Sequence, residues 1–260
     1  MEKVIDIRPI KKKMRAEAKE SRLSMEPQIK SSFDKKICNK LLNLWAVRET
    51  ETFLCYVSTD IEVDTKEFIN SLLSSGKKVA VPRCEGGPSE MNFYYINSLD
   101  ELSSGSFGVL EPESNKEKML TETENTICIV PAFMFDKFGY RLGYGKGYYD
   151  RYLSRYKGST IGVCYGENIK EELFHGKYDR TVDMIVTDKD IFEKCGIQPP
   201  ATYRELQNVC RVLKQNDIVP FAALLKENWS VGHFITMIHT ALLRETSNSG
   251  NSSAASLEAE

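Results

Sequence analysis

The chain has 260 residues, 41% hydrophobic and 28% charged, with a formal net charge of -2, ordinary for a globular protein able to bury one large core or two modest ones. That balance excludes bulk attraction to nucleic acid or an anionic membrane, so an anionic ligand must be held by local clusters: Lys11, Lys12, Lys13 and Arg15, then Lys137, Arg141, Lys146 and Arg151. The charged amino end lacks a signal-peptide core and no apolar run approaches the roughly 18 residues of a membrane span, so a cytoplasmic location is expected.

Two amphipathic helices open the chain, about Ile10 to Arg22 and Glu26 to Trp45, the second with Ile29, Phe33, Ile37, Leu41 and Leu44 at helical spacing. Ser24 reads as its cap and Pro27 as part of its first turn. Short β-rich runs follow at Thr52 to Val57, Lys78 to Pro82, Met91 to Ile96, Thr126 to Pro131, Ser159 to Tyr165 and Met184 to Thr187, with a helix near Thr65 to Ser74. Continuous apolar strands alternating with helices predict an α/β fold with an open, largely parallel sheet flanked by helices. The seven cysteines are scattered and none forms a C-x-x-C pair, which predicts reduced thiols rather than a disulfide framework or a zinc site.

After Asp190 the character changes. Gly196, Pro199 and Pro200 form a break, Tyr203 to Leu213 and Val231 to Leu243 look helical, and the end is rich in Ser, Asn, Ala and Glu. The expected organisation is a main domain over 1–192, a short helical C-terminal extension over 193–244 and a disordered tail over 245–260. Val231, Phe234, Ile235, Ile238 and Leu242 form an apolar stripe, which suits packing on the main domain or on a second subunit, or capture of a partner. His233 and His239 are poorly spaced for one-face metal ligation.

The segment Phe135 to Tyr152 reads F-D-K-F-G-Y-R-L-G-Y-G-K-G-Y-Y-D-R-Y and follows a buried strand. Ligands of open α/β sheets collect at the carboxyl ends of strands. Gly143, Gly145 and Gly147 remove side chains that would hold a phosphate off the backbone, Arg141 and Lys146 supply counter-charge, and a helix begins near Tyr148. The pattern is a polyphosphate cradle, with a flexible surface loop as the alternative. It is neither a Walker A loop nor a G-x-G-x-x-G turn, because Tyr140 and Gly147 stand where Walker A needs glycine and Ser or Thr, and the third glycine arrives one residue early. Asp150 suits either a Mg²⁺ held beside phosphates or a surface acid paired with Arg151 or Lys146.

The motif R-L-G-Y-G-K-G-Y-Y-D, Arg141 to Asp150, with P-A-F-M-F-D before it, resembles the central signature of the 5-formyltetrahydrofolate cyclo-ligases. K-K-K-M-R at Lys11 to Arg15, Y-V-S-T-D-I-E-V-D-T at Tyr56 to Thr65, G-V-L-E-P at Gly108 to Pro112 and Y-D-R-T-V-D-M-I-V-T at Tyr178 to Thr187 match in order. The resemblance covers about Pro9 to Asp190. It implies ATP-dependent cyclisation of 5-formyltetrahydrofolate to 5,10-methenyltetrahydrofolate, with ATP as co-substrate and Mg²⁺ as cofactor.

Carried over by residue, it implies ATP contacts from Lys11, Arg15 and the run Arg141, Leu142, Gly143, Tyr144, Gly145, Lys146, Gly147, Tyr148 and Tyr149, with Lys146 and Arg141 as the catalytic cations. It implies folate contacts from Val57, Glu62 and Tyr144 to Tyr148, and Mg²⁺ ligands in Asp150 and Asp183. Lys12 and Lys13 leave the N-terminal register open by one residue. His175 reads as structural or exposed. The alternative function is a non-catalytic folate- or nucleotide-binding regulatory protein on the same scaffold, against which the retention of both aspartates argues.

Overall fold

The computed structural model describes residues 6–85, 90–105, 108–189, 195–198 and 202–216. The chain divides into two compact units, Met1–Asp188 and Lys189–Glu260, four residues before the boundary expected at 192.

The first unit opens with α1 (Arg8–Leu23) and α2 (Pro27–Asn43). Ser24 closes α1, its N–H donating to the Glu20 carbonyl at 3.0 Å, and Glu26 occupies the N-cap of α2 with Pro27 in the first turn. The expectation that Ser24 starts α2 is thereby corrected: the connection has room for one helix end and one helix start, and Pro27 fixes the second. Leu44 turns extended (ψ 128°) and splits off a short helix, α3 (Trp45–Glu49).

The sheet is built from β1 (Thr52–Cys55), β2 (Lys78–Cys84), β3 (Met91–Ile96), β6 (Thr126–Pro131), β9 (Ser159–Val163) and β11 (Met184–Val186), in the order β11-β9-β6-β1-β2-β3. Between β1 and β2 runs α4 (Lys66–Ser74). All neighbours pair in parallel except β2 with β3. β6 and β9 run through the middle of the sheet, and Ile127, Cys128, Ile129, Val130, Ile161 and Val163 are buried, as expected of parallel strands covered on both faces. Outside this sheet, β4 (Ser103–Ser104) and β5 (Leu110–Glu111) form a small antiparallel pair. No helix among the described residues is long and apolar enough to cross a membrane.

The chain moves outward from β1 to β2 and β3, then returns to place β6 on the other side of β1. The strand order therefore reverses between β1 and β6, the position at which open α/β sheets form a ligand crevice between the departing loops. Into it project the segment after β1, which carries Glu62, and the segment after β6, which carries the glycine-rich motif.

That second segment is more regular than the sequence suggests. β7 (Met134–Asp136) and β8 (Arg141–Leu142) form an antiparallel hairpin, and β10 (Ile169–Lys170) pairs with β7. Asp136, fully buried, fixes the turn: its Oδ1 accepts from the Phe138 and Tyr140 N–H groups, both at 2.9 Å, and its Oδ2 accepts from Leu173 N–H at 3.0 Å. The helix α5 (Tyr148–Leu153) follows.

In the second unit the expected helix is present as α6 (Tyr203–Gln215), opened by a reciprocal cap between Thr202 and Glu205. The expected helix at Val231 to Leu243, both of its histidines and the tail lie outside the described residues.

Candidate active site

One face of α1 carries Lys11, Arg15, Ala18 and Arg22, at the spacing that brings residues of a helix to one side. Lys11 forms an ion pair with Asp179, whereas Lys12 and Lys13 are exposed; the inward lysine of K-K-K-M-R is Lys11. Arg15 Nε donates to the Gly143 carbonyl at 2.7 Å, and a Cβ on Gly145 would stand 3.0 Å from Arg15 Cζ. Gly145 also has φ 90° and Gly147 φ 72°, backbone that residues with a Cβ rarely adopt. Gly145 lets the Arg15 side chain of α1 lie against the loop, and Gly147 leaves the same room for Arg151.

Beneath the loop, Arg141 Nη2 meets Asp150 Oδ1 at 2.8 Å and Nη1 donates to the Arg180 carbonyl. The same Asp150 oxygen accepts from Arg180 N–H at 3.1 Å. Asp179, beside Arg180, takes Lys11 and Gly176 N–H on Oδ2. Its carboxyl lies below the usual carboxylate value: burial alone would raise it, and the hydrogen bonds from Lys11 and Gly176, with the charges of Lys11 and Arg141, outweigh that. Burial draws the Arg15 guanidinium below its ordinary value, opposed by Asp179. The result is a compact cluster in which the three cations Lys11, Arg15 and Arg141 exceed the two carboxylates Asp150 and Asp179 by one charge. Lys146 lies exposed at the tip of the loop, and its carbonyl accepts from Arg151.

Across the crevice, Glu62 is buried and its Oε2 accepts from Thr59 N–H at 2.8 Å and Thr59 Oγ1 at 2.9 Å. Tyr144 packs against Phe133, ring centroids 4.6 Å apart and tilted by 54°. Burial, then the Glu62 charge, push the Tyr144 phenol up, so it stays protonated at neutral pH and can donate. Tyr149 points a buried hydroxyl inward with no hydrogen-bond partner, while the thiol of Cys84 lies against Tyr148. The Val57 side chain is buried, leaving its backbone for any ligand contact.

The predicted loop residues, Lys11, Arg15 and Asp150 gather at the glycine loop, and Tyr144, within that loop, turns its ring toward Phe133 and Glu62. Asp183 does not join them. It precedes β11 at the amino end of that strand, where its Oδ2 accepts from Thr160 N–H at 2.8 Å and Thr160 Oγ1 at 2.7 Å; the expectation that it pairs with Asp150 at a metal is corrected. The carboxylate that does approach is Asp179, four residues earlier in the same motif, which spacing alone gives no means of choosing. His175 stacks on Tyr140 with centroids 3.7 Å apart, a surface packing role.

Among the described residues no three His, Cys, Asp or Glu side chains converge to hold a metal unaided. Two carboxylates, Asp150 and Asp179, do lie in the cationic cluster. No hydrogen bond among the described residues reaches Asp150 Oδ2 or Asp179 Oδ1. One or two carboxylates completed by substrate phosphates and water suit Mg²⁺ better than a dedicated protein cage.

Fold and site define an α/β protein whose glycine-rich loop and Glu62 segment follow the carboxyl ends of β6 and β1. Residues 7–188 match the profile of the 5-formyltetrahydrofolate cyclo-ligase family, and the chain belongs to that family. The matched range ends where the first compact unit ends. Among its relatives, the 5-formyltetrahydrofolate cyclo-ligase of Escherichia coli K12 is 25% identical over 179 residues, covering 67% of this chain and 98% of that one. The Haemophilus influenzae 5-formyltetrahydrofolate cyclo-ligase is 28% identical over 136 residues, 51% of this chain and 72% of the relative. The solved structure of Aquifex aeolicus 5,10-methenyltetrahydrofolate synthetase superposes with a TM-score of 0.62 at 31% identity, covering 70% of this chain and 91% of that one.

Proposed function

We propose that the protein couples ATP cleavage to ring closure of 5-formyltetrahydrofolate, giving 5,10-methenyltetrahydrofolate, ADP and phosphate. The observation that carries this reading is the meeting, at the reversal of strand order, of a cationic glycine loop braced by Arg15 with Glu62 of the segment after β1, which the loop's own Tyr144 reaches. A formamide oxygen is a poor leaving group. It becomes a good one when its lone pair attacks the γ-phosphorus and ADP departs; nitrogen 10 then attacks the activated carbon, loses its proton, and phosphate leaves with the C–O bond electrons.

Each side of the crevice has a part in that sequence. Lys11, Arg15 and Lys146, with the amide groups of the loop from Leu142 to Tyr148, neutralise and align the phosphates, which is most of what phosphoryl transfer asks of a protein. Lys146, at the loop tip, faces the transferred group. Arg141 is committed to Asp150 and the Arg180 carbonyl, so it holds that carboxylate in place rather than reaching outward. Glu62 receives the amide and amine edge of the pterin, Tyr144 and Phe133 form its platform, and the backbone at Val57 closes it. Mg²⁺ fits at Asp150 and Asp179, where it would offset phosphate charge.

The test is to mix the purified protein with 5-formyltetrahydrofolate, ATP and Mg²⁺ and follow the absorbance of the methenyl product. Product must appear only when ATP is present, and Lys146→Ala must depress its rate by about a hundredfold or more, the scale of losing a transition-state charge partner. Tight binding of both ligands with no ADP release would replace this reading by a non-catalytic one.

A further inference from the structure

One buried cation stands outside the phosphate cluster. Arg22, on the inward face of α1, is 4% exposed. Its hydrogen bonds all go to backbone carbonyls: Nη1 to Ile61 at 3.2 Å, Nη2 to Ala132 at 2.7 Å and to Phe133 at 3.0 Å. The guanidinium stands over the rings of Phe133 and Tyr165, 5.1 and 5.5 Å from their centroids. Burying a guanidinium without a carboxylate is costly, and an aliphatic side chain would fill the same space without that cost.

Its neighbours lead to one subsite. Ile61 precedes Glu62 in the chain. Phe133 carries the Tyr144 ring. The Tyr165 hydroxyl donates to Asp34 Oδ1 at 2.8 Å and approaches the Glu62 carbonyl at 3.3 Å. Two helical turns earlier on the same face, Arg15 holds the Gly143 carbonyl of the phosphate loop. A single rigid helix therefore grips the phosphate loop with one arginine and the backbone around Glu62 and Tyr144 with another.

We propose that Arg22 is a positioning residue for the cyclisation: it transmits the seating of α1 on the phosphate loop to the Glu62 segment, so that nucleotide and folate bind interdependently. This rests on the two-substrate reading above. Nucleotide at Lys11 and Arg15 fixes where this rigid helix sits on the loop, which lowers the cost that folate meets in ordering the Glu62 segment, a positive coupling between two sites.

The experiment measures the affinity of the full chain for 5-formyltetrahydrofolate with and without a non-hydrolysable ATP analogue and Mg²⁺. In the intact protein the analogue tightens folate binding about fivefold or more, the scale of an ordinary coupling, and slows amide exchange across residues 58–64. Arg22→Met brings that factor close to one, raising KM for folate at saturating ATP and, by reciprocity, KM for ATP at saturating folate, while leaving the affinity for the ATP analogue alone within about twofold; Arg22→Lys, which keeps the charge but not the planar fork, restores part of the coupling. Equal folate affinity with and without nucleotide in the intact protein, or full coupling in Arg22→Met, overturns the proposal. Should Arg22→Met fail to fold, affinity and exchange in the unaltered chain decide the matter. Failure of either ligand to bind at all sinks the two-substrate reading and this proposal with it, whereas binding of both without coupling sinks this proposal alone.

Discussion

Arg15 and Gly143 stand 128 positions apart in sequence, yet the Arg15 Nε donates to the Gly143 carbonyl at 2.7 Å. A charge-assisted bond of this kind contributes about 1.5–3 kcal/mol, and here it sets the distance between an entire helix and the glycine loop. A Cβ on Gly145, beside this side chain, would oblige the guanidinium to shift by a few tenths of an ångström.

The first prediction tests that fit. Gly145→Ala should leave the fold intact, cost about 1–2 kcal/mol from its left-handed backbone, and raise KM for ATP about tenfold because Arg15 must move. Gly76→Ala is the control: its backbone is left-handed too (φ 77°), but a Cβ there meets nothing within 4 Å and the residue lies between α4 and β2, outside the glycine loop. Steady-state kinetics with both variants should separate them clearly, and equal behaviour would remove the packing argument.

The second concerns the three aspartates. Asp150→Asn and Asp179→Asn should each weaken Mg²⁺ dependence, raising the metal concentration for half-maximal rate about tenfold or more, with the fold retained. Asp183→Asn should leave that concentration unchanged. It should lower stability by about 1 kcal/mol, because the carboxylate braces Thr160 at the start of β9. Titration of rate against Mg²⁺, with thermal melts alongside, reads both effects. A metal defect confined to Asp183→Asn would reverse the assignment.

A third prediction follows from the depressed Asp179 carboxyl. A group whose folded value lies below its unfolded value, about 3.9 for Asp, contributes stability that is complete above the unfolded value and is lost as pH falls through the folded one. The difference in melting temperature between the unaltered protein and Asp179→Asn should therefore be flat from neutrality down to about pH 5 and shrink only in stronger acid. A difference that collapses near pH 6 would implicate another group.

The fourth concerns the thiols. Cys38 is pushed up to about 11 by burial and then by the charges of Glu67 and Asp64, and Cys164 to about 12, chiefly by burial. Cys55 and Cys128 are buried and raised as well. Since the thiolate is the nucleophile, iodoacetamide at pH 8 should leave these four unmodified until the protein is denatured. Mass spectrometry of the labelled peptides would show it, and rapid labelling of any of them in the folded protein would refute it.

Much of the architecture was legible because parallel strands announce themselves as continuous apolar runs. Thr126–Pro131 falls where the sequence places it, as does the antiparallel edge strand Met91–Ile96, and the glycine loop follows β6 as expected. Strands of two or three residues carry no period to read, so the hairpin of β7 and β8 and its Asp136 brace passed as plain loop. The choices that needed three dimensions were those among equals: Lys11 among three lysines, and Asp179 against Asp183 in one motif. Arg22 gave no signal either, since a basic residue on an amphipathic helix ordinarily faces water, and only the sheet it meets shows that this one does not.

The position of α1 also bears on how the protein comes into being. This helix is synthesised first, but its inward lysine finds Asp179 only 168 residues later. Contacts of such separation form late, because the closing of long loops precedes any return from them. A nascent chain that has finished β6 already owns most of its sheet, yet has no working phosphate site, and its basic helix face remains uncovered. Substrate-binding competence is thus acquired near the end of the first unit's synthesis, as a single event rather than residue by residue.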